Sequence, residues 1–454
     1  MTHVDLAIIG SGSGNAIPPE LDHLSIALIE EGRFGGTCLN VGCLPTKMFV
    51  HPADVIAQAR RAARLGVDLE LRGVDFVSIR DRVFGRIDPI ADGGEHYRRA
   101  ECPNIQVFDS HARFVGERTL RTADGDEISA AQVIVAAGSR PAIPEVVRAC
   151  GVDYLTNETI MRLDAPPARL LILGSGYIAC EFAHVFSAYG SRVTITGRSD
   201  VLLKHQDRTI AERFTAHARE VWDVRLSTHV TAIERVNGEI VMHFEDGTTA
   251  CGDALLVATG RIPNGDRMDL HRAGIQTHDD GRIRVDEYGR TSAPGVWALG
   301  DVSSPYQLKH VANREAKVVF HNVVHPHDLR AITHHAVPAA VFTDPQIASV
   351  GLTEEAARAA GYDVAVACQE FGDVGFGWAL EDEIGLCKVI ADRATGRLLG
   401  AHLIGYESAI LIQGLVQTMA LDTDVRDMAN GQYWIHPALS EVVENALLSL
   451  DLPR

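Results

Sequence analysis

Two cysteines, Cys38 and Cys43, are placed in this 454-residue chain so that they can do chemistry together. Gly42, directly before the second cysteine, can take a left-handed turn that brings both sulfurs within bonding distance. Pro45 indicates a helix that starts near Cys43, and the positive end of a helix stabilises a thiolate. The spacing therefore suits a disulfide that opens and closes during turnover.

A structural disulfide and a zinc site are the alternatives for this pair. The other six cysteines stand singly, as in a reduced cytoplasmic protein, where structural bridges are rare. Zinc would need two further ligands at a suitable spacing, which the neighbouring sequence does not offer. The sequence thus favours a redox pair and predicts no metal.

A histidine and a carboxylate, His436 and Glu441, form a second candidate constellation. Histidine is the usual acid–base group near neutral pH, and a carboxylate can fix its tautomer. An ordinary, structurally satisfied histidine is the alternative. Thiol chemistry needs a proton donor for a leaving thiolate, and this need favours a catalytic role.

The elements that must position these residues begin with a repeated glycine turn. Apolar residues 6–9 run into residues 10–15 (GSGSGN), and apolar residues 170–173 run into residues 174–179 (GSGYIA). Each segment predicts a strand, a tight turn and a helix start. Such turns hold a pyrophosphate at the helix N-terminus, so two dinucleotide sites are expected.

The ends of the following strands indicate which dinucleotides bind. Glu30 ends the strand after the first turn, where an acid holds an adenosine ribose. In the second copy the strand ends at Gly197, followed by Arg198 and, further on, Lys204. These cations can bind a 2′-phosphate, which favours NADPH, unless they are merely solvated surface residues.

The first glycine turn departs from the usual fingerprint. Asn15 replaces the third glycine, and Pro18 and Pro19 predict a short or broken first helix. Between Asn15 and Ile26 the only basic residue is His23. A substrate with free carboxylates should therefore find little attraction in this segment.

Bulk composition narrows the partners. The chain has 42 Lys and Arg against 60 Asp and Glu, a formal charge of -18, which disfavours nucleic acid and anionic membranes. Neither a spanning apolar stretch nor a basic leader occurs, so no spanning helix and no signal peptide are expected. The singly placed cysteines predict the cytoplasm. From about residue 335 strands followed by helices predict an α+β domain.

The chain contains the two fingerprints, residues 38–43 (CLNVGC), residues 298–301 (ALGD) and the His436…Glu441 segment. Their order along the chain resembles that of the pyridine nucleotide–disulfide oxidoreductases. That family includes glutathione reductase and dihydrolipoamide dehydrogenase, and the similarity covers essentially the whole chain. It implies an α/β fold with two doubly wound domains and an α+β dimerisation domain. The implied boundaries are 1–148 for FAD, 149–264 for NADPH, 265–334 for a central segment completing the FAD domain, and 335–454 for dimerisation.

The same resemblance implies roles for individual residues. Cys38 would be the interchange thiol and Cys43 the charge-transfer thiolate. Lys47 would lie beside the flavin, paired with Glu181, and Tyr177 would gate the nicotinamide side. His436 and Glu441 would act in the site of the partner subunit of a homodimer. The implied cofactor-binding residues are Gly10, Gly12, Gly14, Glu30, Gly36, Thr37, Lys47, Gly138, Asp301, His310, Gly174, Gly176, Tyr177, Ala179, Arg198, Lys204 and Gly260.

The predicted activity is reduction of a small-molecule disulfide by NADPH through FAD and the Cys38–Cys43 disulfide. Residues 10–15, 84–90 and 431–437 indicate a branch of the family whose substrate is a bulky neutral conjugate. Dihydrolipoamide dehydrogenase and glutathione reductase remain alternatives, although Arg198 counts against the NAD-linked one. Mercuric reductase and large thioredoxin reductase are disfavoured because residues 449–454 contain no cysteine. A non-catalytic scaffold would not need both cysteines, His436 and Glu441.

Overall fold

The computed structural model describes residues 1–453. In two places a strand runs into a glycine turn, and a later strand pairs with it in parallel. The strands are β1 (Thr2–Ile9), β2 (Ile26–Glu30), β3 (Ile105–Asp109), β4 (Ala112–Gly116), β5 (Thr119–Thr122), β6 (Glu127–Val135), β7 (Ser139–Pro141), β8 (Arg169–Leu173), β9 (Arg192–Thr196), β10 (Asp223–Arg225), β11 (Val230–Val236), β12 (Glu239–Phe244), β13 (Thr249–Gly252), β14 (Ala254–Val257), β15 (Arg261–Pro263), β16 (Val296–Ala298), β17 (Pro338–Val341), β18 (Gln346–Gly351), β19 (Val364–Glu370), β20 (Leu386–Asp392) and β21 (Leu398–Gly405).

The α-helices are α1 (Gly36–Asn40), α2 (Cys43–Arg61), α3 (Phe76–His96), α4 (Glu145–Arg148), α5 (Tyr177–Ala188), α6 (Arg208–Val221), α7 (Lys309–Val324), α8 (Glu354–Ala359), α9 (Gly375–Leu380), α10 (Ser408–Ala420), α11 (Val425–Asn430) and α12 (Ser440–Leu448). Short 3-10 turns cover Ser13–Asn15, Pro19–Leu21, Ala62–Leu65, Ile160–Arg162, Asn264–Arg267, Leu270–Ala273, Gly300–Val302 and Phe371–Asp373, and a π turn covers Tyr97–Glu101. Within residues 1–453, no helix combines the length and apolar character that crossing a membrane requires.

One structural unit comprises Met1–Met48, Arg80–Ala142 and Gly260–His334. Its main sheet has the order β3-β2-β1-β6-β5-β4, with β16 also paired to β6. The strands β3, β2, β1, β6 and β16 run parallel, whereas β4 and β5 are antiparallel. The strand order reverses between β1 and β2 on one side and β6 on the other, so a ligand crevice is expected at the carboxyl ends of β1 and β6.

The other unit comprises Phe49–Ile79, Ile143–Thr259 and His335–Arg454. It contains the parallel sheet β10-β9-β8-β14, which repeats the order of the first sheet around its own glycine turn. An antiparallel sheet, β11-β12-β13, is inserted before β14. The predicted pair of doubly wound folds is therefore confirmed.

The C-terminal part of this second unit is an antiparallel sheet of order β17-β18-β21-β20-β19. Helix α10 packs on β18 and β21, and α12 packs on β19 and β20, around a buried apolar cluster that includes Leu403, Leu415 and Val442. The α+β character expected from about residue 335 is confirmed. The four domain boundaries given above remain a prediction.

Candidate active site

The first glycine turn leaves β1 at the carboxyl edge of its sheet. Gly10 has a φ of +104°, and a Cβ atom added to it would lie 2.3 Å from the carbonyl oxygen of Ala136. No other residue can occupy this position without moving the backbone. Ala136 directly follows β6, so the glycine turn packs against the turn that leaves β6. This contact sets the narrow crevice in which a dinucleotide can approach the backbone.

The acid at the end of β2 faces the same turn. Glu30 Oε2 accepts hydrogen bonds from the backbone N–H of Ser11 at 2.8 Å and from its hydroxyl at 2.7 Å. Its Oε1 accepts from the backbone N–H of Gly32 at 2.9 Å. Because a carboxylate offers about four lone pairs, a ribose hydroxyl can still donate to Glu30. The residues present thus fit the adenosine end of FAD.

The helix after the first glycine turn is broken, as Pro18 and Pro19 predicted. Only the 3-10 turns Ser13–Asn15 and Pro19–Leu21 form. Arg98, from the π turn, donates from Nε to Asn15 Oδ1 at 2.8 Å and from Nη2 to the Asn15 carbonyl at 2.9 Å. The broken segment has no strong cation of its own, but a guanidinium from elsewhere in the chain lies against it.

The second glycine turn repeats the geometry of the first. Gly174 has a φ of +136°, and an added Cβ would lie 2.2 Å from the carbonyl oxygen of Ala258, which follows β14. Gly176 precedes α5 and meets no atom within 4 Å of an added Cβ. Tyr177, the first residue of α5, is 41% exposed. The turn leaves open space at the helix N-terminus, as a pyrophosphate requires.

Two cations follow β9 near this second turn. Arg198 and Lys204 are both exposed. The acid between them, Asp200, is bound by Arg208 at 2.7 Å, and this hydrogen bond lowers the pKa of Asp200. Arg208 also binds Glu212 at 2.6 Å, so the positive charge offered to a ligand here comes from Arg198 and Lys204. The arrangement suits a phosphate on the 2′-oxygen of a bound nucleotide.

The thiol pair lies at the junction of α1 and α2. Cys38 belongs to α1, and Cys43 is the first residue of α2, so the predicted helix start is confirmed. The left-handed turn expected at Gly42 is wrong, because Gly42 does not have a positive φ. Glycine is needed there for another reason: an added Cβ would lie 2.9 Å from the carbonyl oxygen of Thr37.

The two free thiols share a hydrogen bond that makes them unequal. The pKa of Cys38 is lowered to about 7, first by the hydrogen bond from Cys43 and further by the charge of Lys309 and by backbone N–H groups, against the effect of burial. The pKa of Cys43 is raised, first by this hydrogen bond and then by burial. This hydrogen bond thus favours the negative charge on Cys38 and the proton on Cys43. The charge-transfer role of Cys43 with flavin bound stays a prediction.

Asp301, in the 3-10 turn after β16, is tied into a polar network. Its Oδ2 accepts from the Ser139 hydroxyl at 2.6 Å. Arg261 donates from Nε to the same hydroxyl at 2.7 Å and from Nη2 to the Ser139 carbonyl at 2.6 Å. β16 pairs with β6, so Asp301 lies at the same sheet edge as Gly10. A polyol chain such as the ribityl of FAD fits this edge.

His436 and Glu441 are brought together at the start of α12. Nδ1 of His436 lies 2.7 Å from Glu441 Oε1. The histidine side chain is 76% exposed, whereas the glutamate side chain is 18% exposed. The imidazole is thus oriented by a carboxylate and remains accessible, which is the arrangement that acid–base catalysis needs.

The other expected site residues fall into two groups. Gly12, Gly14, Gly36, Thr37, Lys47, Gly138, Gly260 and His310 belong to the first unit, and Ala179 and Glu181 belong to α5 in the second. Glu181 is buried, and its Oε1 accepts from the backbone N–H of Phe342 at 2.9 Å. The Lys47–Glu181 pair stays a prediction. Within residues 1–453, no group of three His, Cys, Asp or Glu side chains is arranged to hold a metal ion.

Three residues near the site carry no local sequence signal. Lys309 and Arg98 stand in segments without a recognisable pattern, and Arg261 is marked only by the preceding Gly260. Each of the three donates hydrogen bonds to residues far away in the chain. The nearest hint is for Lys309, which is adjacent to His310. Sequence alone does not indicate which surface cation folds against a glycine turn.

Comparison with known proteins agrees with this geometry. Residues 4–316 match the family described as pyridine nucleotide-disulphide oxidoreductase, and residues 337–447 match the dimerisation domain of that family. Mycothione reductase of Mycobacterium tuberculosis (strain ATCC 25618 / H37Rv) is 53% identical, over 99% of this chain and 100% of that protein. Glutathione reductase of Burkholderia cepacia is 32% identical, over 96% of this chain and 97% of that protein. The structure of the HOCl-induced flavoprotein disulfide reductase RclA from Escherichia coli superposes with a TM-score of 0.86 at 29% identity, over 98% and 99% of the two chains.

Proposed function

The chain belongs to the pyridine nucleotide-disulphide oxidoreductase family, and we propose that its substrate is mycothione, which it reduces to two molecules of mycothiol with NADPH. Membership makes the protein an FAD- and NAD(P)H-dependent disulfide oxidoreductase. Gly10, Glu30 and Asp301 would hold FAD, which when bound would supply two-electron transfer between the nicotinamide and the protein disulfide. The remaining chemistry belongs to the side chains of this chain.

The hydrogen-bonded pair Cys38 and Cys43 is the observation that carries the proposal. Two thiols at abutting helix ends can close to a disulfide and reopen. The lowered pKa of Cys38, about 7, makes it the better nucleophile of the two near neutral pH. Cys38 is therefore proposed as the interchange thiol.

The reaction then needs one electron pair and two protons for each disulfide. The Cys38 thiolate attacks one substrate sulfur, a mixed disulfide forms, and the first thiolate leaves. His436 supplies its proton, with Glu441 holding the ring. Cys43 next loses its own proton to His436, which has just given one up, and attacks the Cys38 sulfur. The second substrate thiolate leaves and takes that proton from His436, and the Cys38–Cys43 disulfide is restored.

His436 is proposed to act in the site of a second subunit. The dimerisation domain matched at residues 337–447 contains His436 and supports a homodimer. The exposure of Tyr433 and Ile435, at 103% and 75%, also supports a partner surface beside this histidine. Each proposed site accordingly combines cysteines of one chain with His436 of the partner subunit.

Three observations support mycothione as the disulfide. Mycothione reductase of Mycobacterium tuberculosis is similar along the whole chain. The first helix, which is broken after Asn15, offers no basic residue except His23 before Ile26. Arg98, which does reach this segment, is already bonded to Asn15. A bulky neutral conjugate suits such surroundings better than the free carboxylates of glutathione disulfide.

NADPH is proposed over NADH because Arg198 and Lys204 follow β9 where an NAD-binding relative needs an acid. The cytoplasm is proposed as the compartment because disulfide reduction by a thiol pair needs a reducing pool.

The test is NADPH oxidation by purified protein against mycothione, glutathione disulfide, lipoamide and trypanothione. We expect a specificity constant for mycothione far above the other three. NADH in place of NADPH measures nucleotide preference in the same assay. Equal rates with glutathione disulfide would remove the substrate proposal, and lipoamide preference with NADH would favour a dihydrolipoamide dehydrogenase instead.

A further inference from the structure

We propose that Lys309 is a positioning residue of the thiol centre, whose ammonium group is held by Ser13 beside the helix of Cys38 and stabilises the thiolate form of that cysteine. The inference rests on the proposed function only in taking Cys38 as the interchange thiol.

A pair of hydrogen bonds holds the ammonium group in place. Lys309 is the first residue of α7, and its Nζ donates to the Ser13 hydroxyl at 2.9 Å. The same hydroxyl donates to Oδ1 of Asn313 at 3.0 Å. Ser13 thus accepts from one side chain of α7 and donates to another one turn later. The lysine is half-buried, so this arrangement limits its freedom to turn into solvent.

The glycine turn that receives Lys309 packs directly on α1. A Cβ added to Gly36 would lie 2.7 Å from the Cα of Gly12, and the backbone N–H of Gly35 donates to the Ser11 hydroxyl at 2.8 Å. Gly36 is the first residue of α1, and Cys38 follows two residues later. Ser13, which holds the ammonium group, therefore directly follows Gly12, and Gly12 packs against α1, the helix that contains Cys38.

Lys309 is also the charged side chain with the largest effect on the Cys38 thiol, and the sign of its effect is to lower the pKa. The same charge acts in the same direction on Cys43. A cation close to two thiols favours the loss of their first proton, whichever sulfur keeps the negative charge.

Other charged or titratable groups on the surrounding elements can also change the pKa of Cys38, and their contribution must be distinguished from that of Lys309. They are Cys43 and Lys47 on α2, His310 on α7, Arg98 through Asn15, and the proposed His436 of the partner subunit. Substitutions at Lys309 leave all of them in place.

The experiment measures thiolate content directly in the FAD-bound protein. The enzyme is reduced with one equivalent of NADPH, alkylated with iodoacetamide between pH 5.5 and 9, and the modification of Cys38 is followed by mass spectrometry. Wild type should show a midpoint near pH 7, the pKa of Cys38. In Lys309→Met the midpoint should move to higher pH, with alkylation at pH 6.5 slower by roughly three- to tenfold, the factor for a shift of about 0.5–1 pH unit. Rates at pH 9 should converge.

Two matched variants accompany it. Lys309→Arg retains the charge and should keep the wild-type midpoint. Ser13→Ala removes the hydroxyl that holds the ammonium group and should shift the midpoint in the same direction as Lys309→Met, by less. Ser13→Ala also keeps the test available if Lys309→Met does not fold.

A wild-type midpoint in both Lys309→Met and Ser13→Ala overturns the inference. Weaker FAD retention by Lys309→Met, with an unchanged thiol midpoint in the fraction that still holds FAD, would assign the lysine to the cofactor instead and also overturns it. Because iodoacetamide replaces the substrate, the proposal of mycothione can fail without affecting this result, and the reverse is equally true.

Discussion

Nδ1 of His436 and Oε1 of Glu441 lie 2.7 Å apart, in a motif that begins just before α12. The second carboxylate oxygen accepts from the backbone N–H of Ala438 at 3.2 Å. The hydrogen bond from His436 is the first cause of a lowered pKa at Glu441, so the carboxylate is ionised near neutral pH. It can then only accept, which makes Nδ1 the donor and leaves Nε2 for acid–base work.

His436→Gln should slow disulfide turnover by about 10²–10⁴-fold, the range for a lost acid–base group. Flavin reduction by NADPH should be almost unchanged, because the proposed proton transfer follows it. Stopped-flow absorbance separates the two steps. Glu441→Gln keeps the histidine but weakens its orientation, and we expect a smaller loss. Equal slowing of flavin reduction in His436→Gln would contradict the role.

The thiol variants should differ in colour. Cys38→Ser removes the sulfur to which Cys43 donates, and this donation is the first cause of the raised pKa of Cys43. The Cys43 thiolate should then form at the helix N-terminus near neutral pH and give a long-wavelength absorption band with oxidised FAD. Cys43→Ser should lack the band. Absence of the long-wavelength absorption band in Cys38→Ser would show that Cys43 is not the thiolate beside the flavin.

Disulfide reduction should lose rate in acid. The pKa of Cys38 is lowered to about 7, so the thiolate is present above this value and is lost as the pH falls through it. With disulfide limiting, the specificity constant should fall by about tenfold for each pH unit well below 7. Flavin reduction by NADPH, measured in the same buffers, is the control. A profile that stays flat down to pH 5 would exclude Cys38 as the group that ionises.

Nucleotide preference should depend on Arg198. A charged hydrogen bond to a 2′-phosphate contributes about 1.5–3 kcal/mol, so Arg198→Ala should raise KM for NADPH by about 10- to 100-fold. KM for NADH should hardly change. Arg192→Ala is the matched control, since Arg192 is also exposed but begins β9 at the opposite end. Parallel increases for both nucleotides would contradict phosphate binding by Arg198.

Two glycines of the second turn should respond differently to alanine. Gly174→Ala places a Cβ 2.2 Å from the Ala258 carbonyl oxygen at a φ of +136°, and should cost at least about 1–3 kcal/mol of stability. Gly176→Ala meets no atom within 4 Å, so thermal stability should be close to wild type. Its methyl group would hinder a pyrophosphate at the N-terminus of α5, so KM for NADPH should rise. Thermal denaturation measures the loss of stability, and the rate of flavin reduction at varied NADPH measures the change in KM. Equal loss of stability in the two variants would contradict the close contact at Gly174 and the open space at Gly176.

Local sequence was sufficient where the information lies in one stretch of chain. The strand–glycine–helix order at Gly10 and Gly174, the break after Asn15 and the helix start at Cys43 all follow from conformational preferences of adjacent residues. The α+β character of the C-terminal part was also predictable, because strands followed by helices are indicated within that one segment.

Tertiary structure alone decided which distant groups meet. Gly10 must be glycine because the carbonyl of Ala136, far away in the chain, passes beside it. At Gly42 the close approach is of the nearby Thr37 carbonyl, and the structure replaces the expected positive φ as the reason for glycine. Which thiol loses its proton first depends on their mutual hydrogen bond and on the charge of Lys309, brought in by α7. Hydrogen bonds and charge interactions depend on the distance between groups in space. A short sequence pattern does not show how far apart in space two segments of the chain lie.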